Sequence, residues 1–121
     1  MKIEYRQAVP EDAELLIKIY NASFYDDYVR YGSCPGYGKT KVMMEESISR
    51  YPKYIILCEN EPVGCVSCTK IEKGVYEVGC LCIVPEHQGK GLGTHAIRFI
   101  KTLYEDLERL TLVTPIDKKK M

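Results

Sequence analysis

The chain has 121 residues, 17 basic and 17 acidic, so its net charge is zero and no strong overall field draws it to nucleic acid or to an anionic membrane. Its length predicts a single domain over residues 1–121, large enough to bury a core. Hydrophobic residues make up 45% of the chain, yet no run approaches the roughly 20 residues that span a bilayer, and the opening MKIEYRQAVPEDAE has no apolar signal core; a cytoplasmic protein is expected. Residues 2–7 (KIEYRQ) alternate as a short strand, with Ile3 and Tyr5 on one face. Pro10, Glu11, Asp12 and Glu14 then crowd a helix start with the negative charge its dipole favours, and Leu15, Leu16, Ile19 and Tyr20 supply the apolar stripe of a helix over about residues 11–21. Residues 23–38 (SFYDDYVRYGSCPGYG) break this pattern and are expected to form a loop or broken helix beside a binding cleft. A second helix is expected over residues 39–51, with Val42, Met43, Glu46 and Ile48.

Residues 54–58 (YIILC) form a continuous apolar run, followed by a hairpin turn at residues 59–62 and a returning strand at 63–71. Lys73 and Gly74 make the next turn, and residues 75–84 form a fourth strand. Leu92, Ala96, Phe99, Ile100, Leu103 and Leu107 mark the buried stripe of a long helix, and residues 111–114 a fifth strand ended by Pro115. This order predicts an α/β (α+β) fold, a mixed and mostly antiparallel sheet with helices on both faces. The lysine run in the closing DKKKM is a solvated end, and there are no internal repeats.

Between the fourth strand and the long helix lies Gln88-Gly89-Lys90-Gly91-Leu92-Gly93-Thr94. Glycines there let the backbone turn its NH groups toward a ligand, and the helix adds unpaired NH groups and the positive end of its dipole, which suits a phosphate or pyrophosphate. A dinucleotide fingerprint needs GxGxxG and an acid at the end of the next strand, whereas this turn spells GxGxG and the acids at that distance, among residues 105–108, lie in the helix. A near miss for a P-loop, residues 33–40 (SCPGYGKT), lacks both the first glycine and the apolar strand that would aim it, and is better taken as a loop running into a helix cap.

The pattern Gln88-x-x-Gly91-x-Gly93, after an apolar strand and opening a helix, resembles the acyl-CoA signature of the GNAT superfamily of N-acetyltransferases. The likeness covers nearly the whole chain and is most specific over residues 83–94 (IVPEHQGKGLGT). It implies a GNAT-like acyl-CoA N-acyltransferase fold in which Gln88, Gly89, Lys90, Gly91, Leu92, Gly93 and Thr94 hold the CoA pyrophosphate. It implies too that Leu81, Cys82 and Ile83 pair like a neighbouring strand with the pantetheine arm. Acetyl-CoA is then the co-substrate and a primary amine of a small molecule or peptide the acceptor, with neither nucleic acid nor membrane as partner. Transfer needs a neutral amine, whose reference pKa is about 10.4 if it resembles lysine, so a base must take a proton.

Glu77, eleven residues before Gln88, matches a position where some GNAT enzymes carry that base; it is equally read as an exposed polar residue of an alternating strand. Gly79 marks a bulge, which in this family splays the fourth and fifth strands and frees a backbone NH, near Ile83, for the developing oxyanion. The family's last helix, bearing a tyrosine acid, and its closing strands are not reached, so the fold is expected to be C-terminally incomplete. Either the chain is truncated, or a partner chain completes it, or it binds CoA without turnover. Two functions therefore stay open: an N-acetyltransferase, or a non-catalytic acyl-CoA-binding or regulatory module. The uncovered fifth strand predicts a homodimer or aggregation.

Asp26, Asp27, Tyr25, Tyr28, Tyr31 and Tyr37 are read either as an acidic, aromatic pocket for a cationic amine or as a polar surface loop. The six cysteines, Cys34, Cys58, Cys65, Cys68, Cys80 and Cys82, are expected to be reduced and mostly buried, with no metal site, because an offset of three sends Cys65 and Cys68 to opposite faces of a strand. His87 is a solvated loop residue that reaches a phosphate at most. His95 and Tyr104 are expected to pack rather than to catalyse.

Overall fold

The computed structural model describes residues 1–32 and 37–112, apart from the side chains of Asp27 and Leu112. Strand β1 (Ile3–Gln7) leads through a 3-10 turn (Pro10–Asp12) into helices α1 (Ala13–Tyr31) and α2 (Lys41–Arg50). Strands β2 (Lys53–Cys58), β3 (Glu61–Glu72) and β4 (Val75–Ile83) follow, then a 3-10 turn (Pro85–His87), helix α3 (Leu92–Leu103) and strand β5 (Arg109–Leu112). The five strands form one sheet in sequence order. The first four run antiparallel and β5 returns parallel to β4, because α3 carries the chain back across one face. The mixed sheet and its helices on two faces match the expectation from sequence.

The two faces hold two cores. On one, Leu16, Ile19 and Tyr20 of α1 and Met44 and Ile48 of α2 pack on Ile55, Cys65 and Cys82. On the other, Leu92, Ala96 and Ile100 of α3 pack on Ile56, Val66, Cys68, Tyr76 and Val78. Each large aliphatic chain so buried contributes about 1.5–3 kcal/mol of hydrophobic stabilisation. The β2–β3 hairpin turns on Glu59 and Asn60, both left-handed with φ of 52° and 69°, as a tight two-residue turn requires.

Three boundaries correct the sequence reading. Helix α1 does not stop near residue 21 but runs to Tyr31, so the loop expected from residue 23 is helical over its first nine positions. Phe24 packs edge-on against Tyr20 at 5.9 Å, and the Ser23 hydroxyl donates to the Ile19 carbonyl at 2.6 Å. Gly32, at φ 81°, ends the helix, its NH donating to Tyr28 O at 2.9 Å. Helix α3 ends at Leu103, short of Leu107, although Leu107 still packs on that core. Strand β5 starts two residues early, at Arg109; its expected continuation through residues 113–114, Pro115 and the closing lysines lies outside the described residues, as do residues 33–36 with Cys34.

Candidate functional site

The glycine turn has the backbone of an anion cradle. Gly89 and Gly91 both sit at φ 81°, where a side chain is strained, and a Cβ on either would meet nothing within 4 Å, so it is conformation and not crowding that requires glycine. Gly91 is the N-cap of α3 and, having no side chain, caps nothing. The helix's first intrahelical bond from this end runs from the His95 NH to Gly91 O at 3.0 Å. The NH groups of Leu92, Gly93 and Thr94 therefore have no partner inside the helix and sit at the positive end of its dipole. Gln88 anchors the approach, its Nε2 donating to Ile83 O at 2.9 Å, and Lys90 Nζ lies 3.2 Å from His87 Nδ1.

Strand β4 brings a second feature to this turn. It pairs with β5 from Val75 opposite Arg109 to Val78 opposite Leu112, whereas residues up to Ile83 keep only β3 beside them among the described residues. Val84 NH bonds Val63 O, which makes Gly64 and Ile83 a non-bonded pair and sets Cys65 and Cys82 as a bonded pair. Leu81 and Ile83 thus turn their backbone groups to the open edge. Cys82 does not: its backbone groups are engaged with Cys65 and its side chain is buried under α1. The bulge expected at Gly79 is present, for Ser67 faces Cys80 while Cys68 faces Val78, leaving Gly79 as the extra residue. Any splaying of β4 from β5 beyond this point falls outside the described residues. Glu77 stands half-buried between Thr69 and Thr111 on the neighbouring strands, on the α1–α2 face, since Tyr76 and Val78 on either side point to the α3 core.

The bulge also adds what sequence reasoning missed. Without it Cys80 and Cys82 would share the α3 face with Tyr76 and Val78; the extra residue reverses the alternation and turns both cysteines toward α1. There they meet a buried polar cluster. Lys53, only 5% exposed, donates from Nζ to the Tyr20 hydroxyl at 3.0 Å, and that hydroxyl lies 3.9 Å from Cys65 Sγ. The Cys80 thiol is drawn down to about 7: the hydrogen bond from Cys82 leads, burial opposes it, and Tyr20, Lys53 and Lys39 add to it. Donating that bond, and burial, push Cys82 well up, while burial pushes Cys65 to about 12 and raises Tyr20. The only local signal was the i, i+2 spacing of Cys80 and Cys82; nothing near Lys53 in sequence announces its partners.

The remaining candidates disperse. Thr40 caps α2, its hydroxyl accepting from the Met43 NH at 3.2 Å, so Gly38-Lys39-Thr40 is a helix start. Tyr28 stacks on Tyr37 at 4.3 Å and Tyr25 lies 6.2 Å from it, an aromatic group at the C-terminal end of α1, with Asp26 and Tyr31 exposed nearby in the chain and the Asp27 side chain outside the described residues. His95 Nδ1 is hydrogen-bonded to the Tyr5 hydroxyl at 2.7 Å, and Tyr104 stacks on Tyr76 at 4.2 Å. Cys65 and Cys68 fall on opposite faces, in separate cores.

Comparison with known proteins adds to this geometry. The acetyltransferase (GNAT) family profile matches residues 14–119. No curated protein sequence matches the chain. An acetyltransferase from Thermus thermophilus superposes with a TM-score of 0.82 at 21% identity, over 99% of this chain and 82% of that one. A PaiA N-acetyltransferase from Thermoplasma acidophilum, in complex with coenzyme A, gives 0.67 at 20% identity, over 85% and 72%. An aminoglycoside acetyltransferase from an uncultured soil metagenomic sample, in complex with sisomicin, gives 0.70 at 13% identity, over 98% and 81%.

Proposed function

Since the chain belongs to the GNAT acetyltransferase family, we propose that it is an acetyl-CoA-dependent N-acetyltransferase that moves an acetyl group to a primary amine of a small molecule or peptide. The observation that supports this best is the alignment of an uncapped, glycine-started helix with the open edge of β4, which leads to Glu77. Glu77 to Ile83 is six residues of strand, about 20 Å at ~3.3 Å per residue, so a ligand with its phosphates at the turn and its reactive end at Glu77 is long and extended. Acyl-CoA has that shape. In this reading the NH groups of Leu92, Gly93 and Thr94, with Lys90, hold the diphosphate. The backbone of Leu81 and Ile83 pairs with the pantetheine arm. Acetyl-CoA supplies an activated acyl carbon; Glu77 takes the amine's proton, directly or through a water, and a backbone NH freed at the Gly79 bulge faces the developing oxyanion.

The amine enters from the α1 side, where Tyr25, Tyr28 and Tyr37 offer aromatic faces to a cation. The likeness to an aminoglycoside acetyltransferase in complex with sisomicin supports a small-molecule acceptor. Thermal unfolding with acetyl-CoA tests the donor: at 100 times Kd, stabilisation of about 2.7 kcal/mol is expected, and none at saturation would sink the reading. Release of free CoA thiol across an amine panel tests transfer. Glu77→Gln is expected to lower kcat by about 10²–10⁴-fold with acetyl-CoA stabilisation retained; an unchanged kcat removes Glu77 as the base.

A further inference from the structure

We propose that His87 is a positioning residue for the acyl donor: its imidazole holds the Lys90 ammonium over the glycine turn, ready for the diphosphate, and so tightens acyl-CoA binding; this rests on the acyltransferase reading. Three observations carry it. Of residues 85–91, six are exposed and His87 alone is drawn in, its side chain 19% exposed, which corrects the solvated loop residue expected from sequence. Lys90 Nζ lies 3.2 Å from His87 Nδ1. An ammonium has three donors and no acceptor, so this Nδ1 is bare, the ring is neutral and its proton sits on Nε2. Nε2 in turn faces Glu61 at the start of β3, 3.9 Å from Oε1. The β2–β3 hairpin, the 3-10 turn and the glycine turn thus meet in one row of groups: carboxylate, imidazole, ammonium.

The backbone at Lys90 explains why such a hold matters. Gly89 and Gly91 flank it, both at φ 81° and both with open space where a Cβ would stand, so neither neighbour restricts where the lysine points. A lysine left free surrenders its rotamer freedom when it pairs with a ligand, and that loss opposes binding. The bond to Nδ1 orders the side chain on folding instead, and two of its three donors remain for phosphate oxygens. Gln88 serves the main chain of the same turn through its bond to Ile83 O; His87 serves the side chain.

The test is calorimetric titration of acetyl-CoA into the full chain and its variants. His87→Leu keeps the bulk of the side chain and removes its acceptor; it is expected to weaken binding about fivefold, the scale of ordering one long side chain. His87→Asn, whose amide oxygen reaches the place of Nδ1, is expected to recover affinity to within about twofold, a rescue that a merely packing residue would not show. In a Lys90→Met background, itself roughly tenfold weaker, His87→Leu costs less than about twofold more, because the group it positions is gone. Nitrogen NMR of the unmodified chain at about pH 8, where an ordinary imidazole is neutral, reads the ring without any variant: the Nε2–H form of His87 is expected, and the Nδ1–H form overturns the proposal. If acetyl-CoA binds the unmodified chain, yet His87→Leu binds as tightly, His87→Asn recovers nothing, or the His87 and Lys90 losses multiply in full, the proposal is overturned and the acyltransferase reading stands. If acetyl-CoA does not bind, that reading falls, and inorganic pyrophosphate decides: binding weakened by both Lys90→Met and His87→Leu supports the positioning role, whereas unchanged binding, or none, overturns it as well.

Discussion

Asp12 shows how a single residue can be legible in kind and not in partner. Its place in the acidic helix start was evident, and its role was expected to be a favourable charge at the dipole. In the structure its carboxylate is clamped by Arg6 of β1, Nη1 at 2.9 Å and Nη2 at 3.1 Å, and accepts from the Val9 NH at 2.9 Å. The hydrogen bond from Arg6 holds its pKa below the usual carboxylate range, with burial opposing and Val9 adding. A depressed folded pKa means that this stabilisation is present above the unfolded value, about 3.9, and is lost as pH falls through the folded value. Asp12→Asn is therefore expected to cost about 1 kcal/mol at pH 7, discounted because Arg6 is half exposed, with the gap closing as the wild-type carboxylate protonates. Urea unfolding at neutral and acid pH measures it, and a gap independent of pH contradicts the assignment.

Among the elements, the start of α3 was the most legible, because positive φ and a missing cap are demands that only glycine meets cheaply, and they appear in the sequence as glycine. Gly91→Asp separates stability from ligand binding there. An acidic residue tolerates the left-handed backbone better than most and its charge suits the helix N-terminus, so stability is expected to stay within about 1 kcal/mol. The same carboxylate opposes a bound diphosphate, and acetyl-CoA affinity is expected to fall by about tenfold or more. Calorimetric titration checks this; undiminished affinity would remove the diphosphate from this turn. Helix α1 was less legible. Tyr20, Phe24 and Tyr28 recur every four residues, a helical stripe, but the intervening Asp26 and Asp27 and the glycines beyond drew the boundary too early. Packing of Phe24 against the core beneath α1, a tertiary contribution, keeps this polar stretch helical.

At the scale of the molecule, two cores clamp a five-stranded sheet whose outer strands, among the described residues, are β1 and β5. Among the described residues no strand pairs with the edge of β5 away from β4, which leaves a template for another strand. We expect self-association through it, seen as a sedimentation coefficient that rises with protein concentration. A concentration-independent monomer would contradict that. Among the described residues no helix is long and apolar enough to cross a membrane.

The sequence by itself determined the order of elements, the glycine turn between β4 and α3, the bulge at Gly79 and the separation of Cys65 from Cys68. These follow from periods of 2 and 3.6 residues and from backbone angles open mainly to glycine, which are local properties. Tertiary structure alone decided which groups meet under α1. Lys53 and Tyr20 are 33 residues apart, Tyr20 and Cys65 are 45 apart, and the face that Cys80 takes depends on the register of β4 against β3 across its bulge. Pairing register and long-range contact are set by the packing of the whole chain, and no window of sequence contains them.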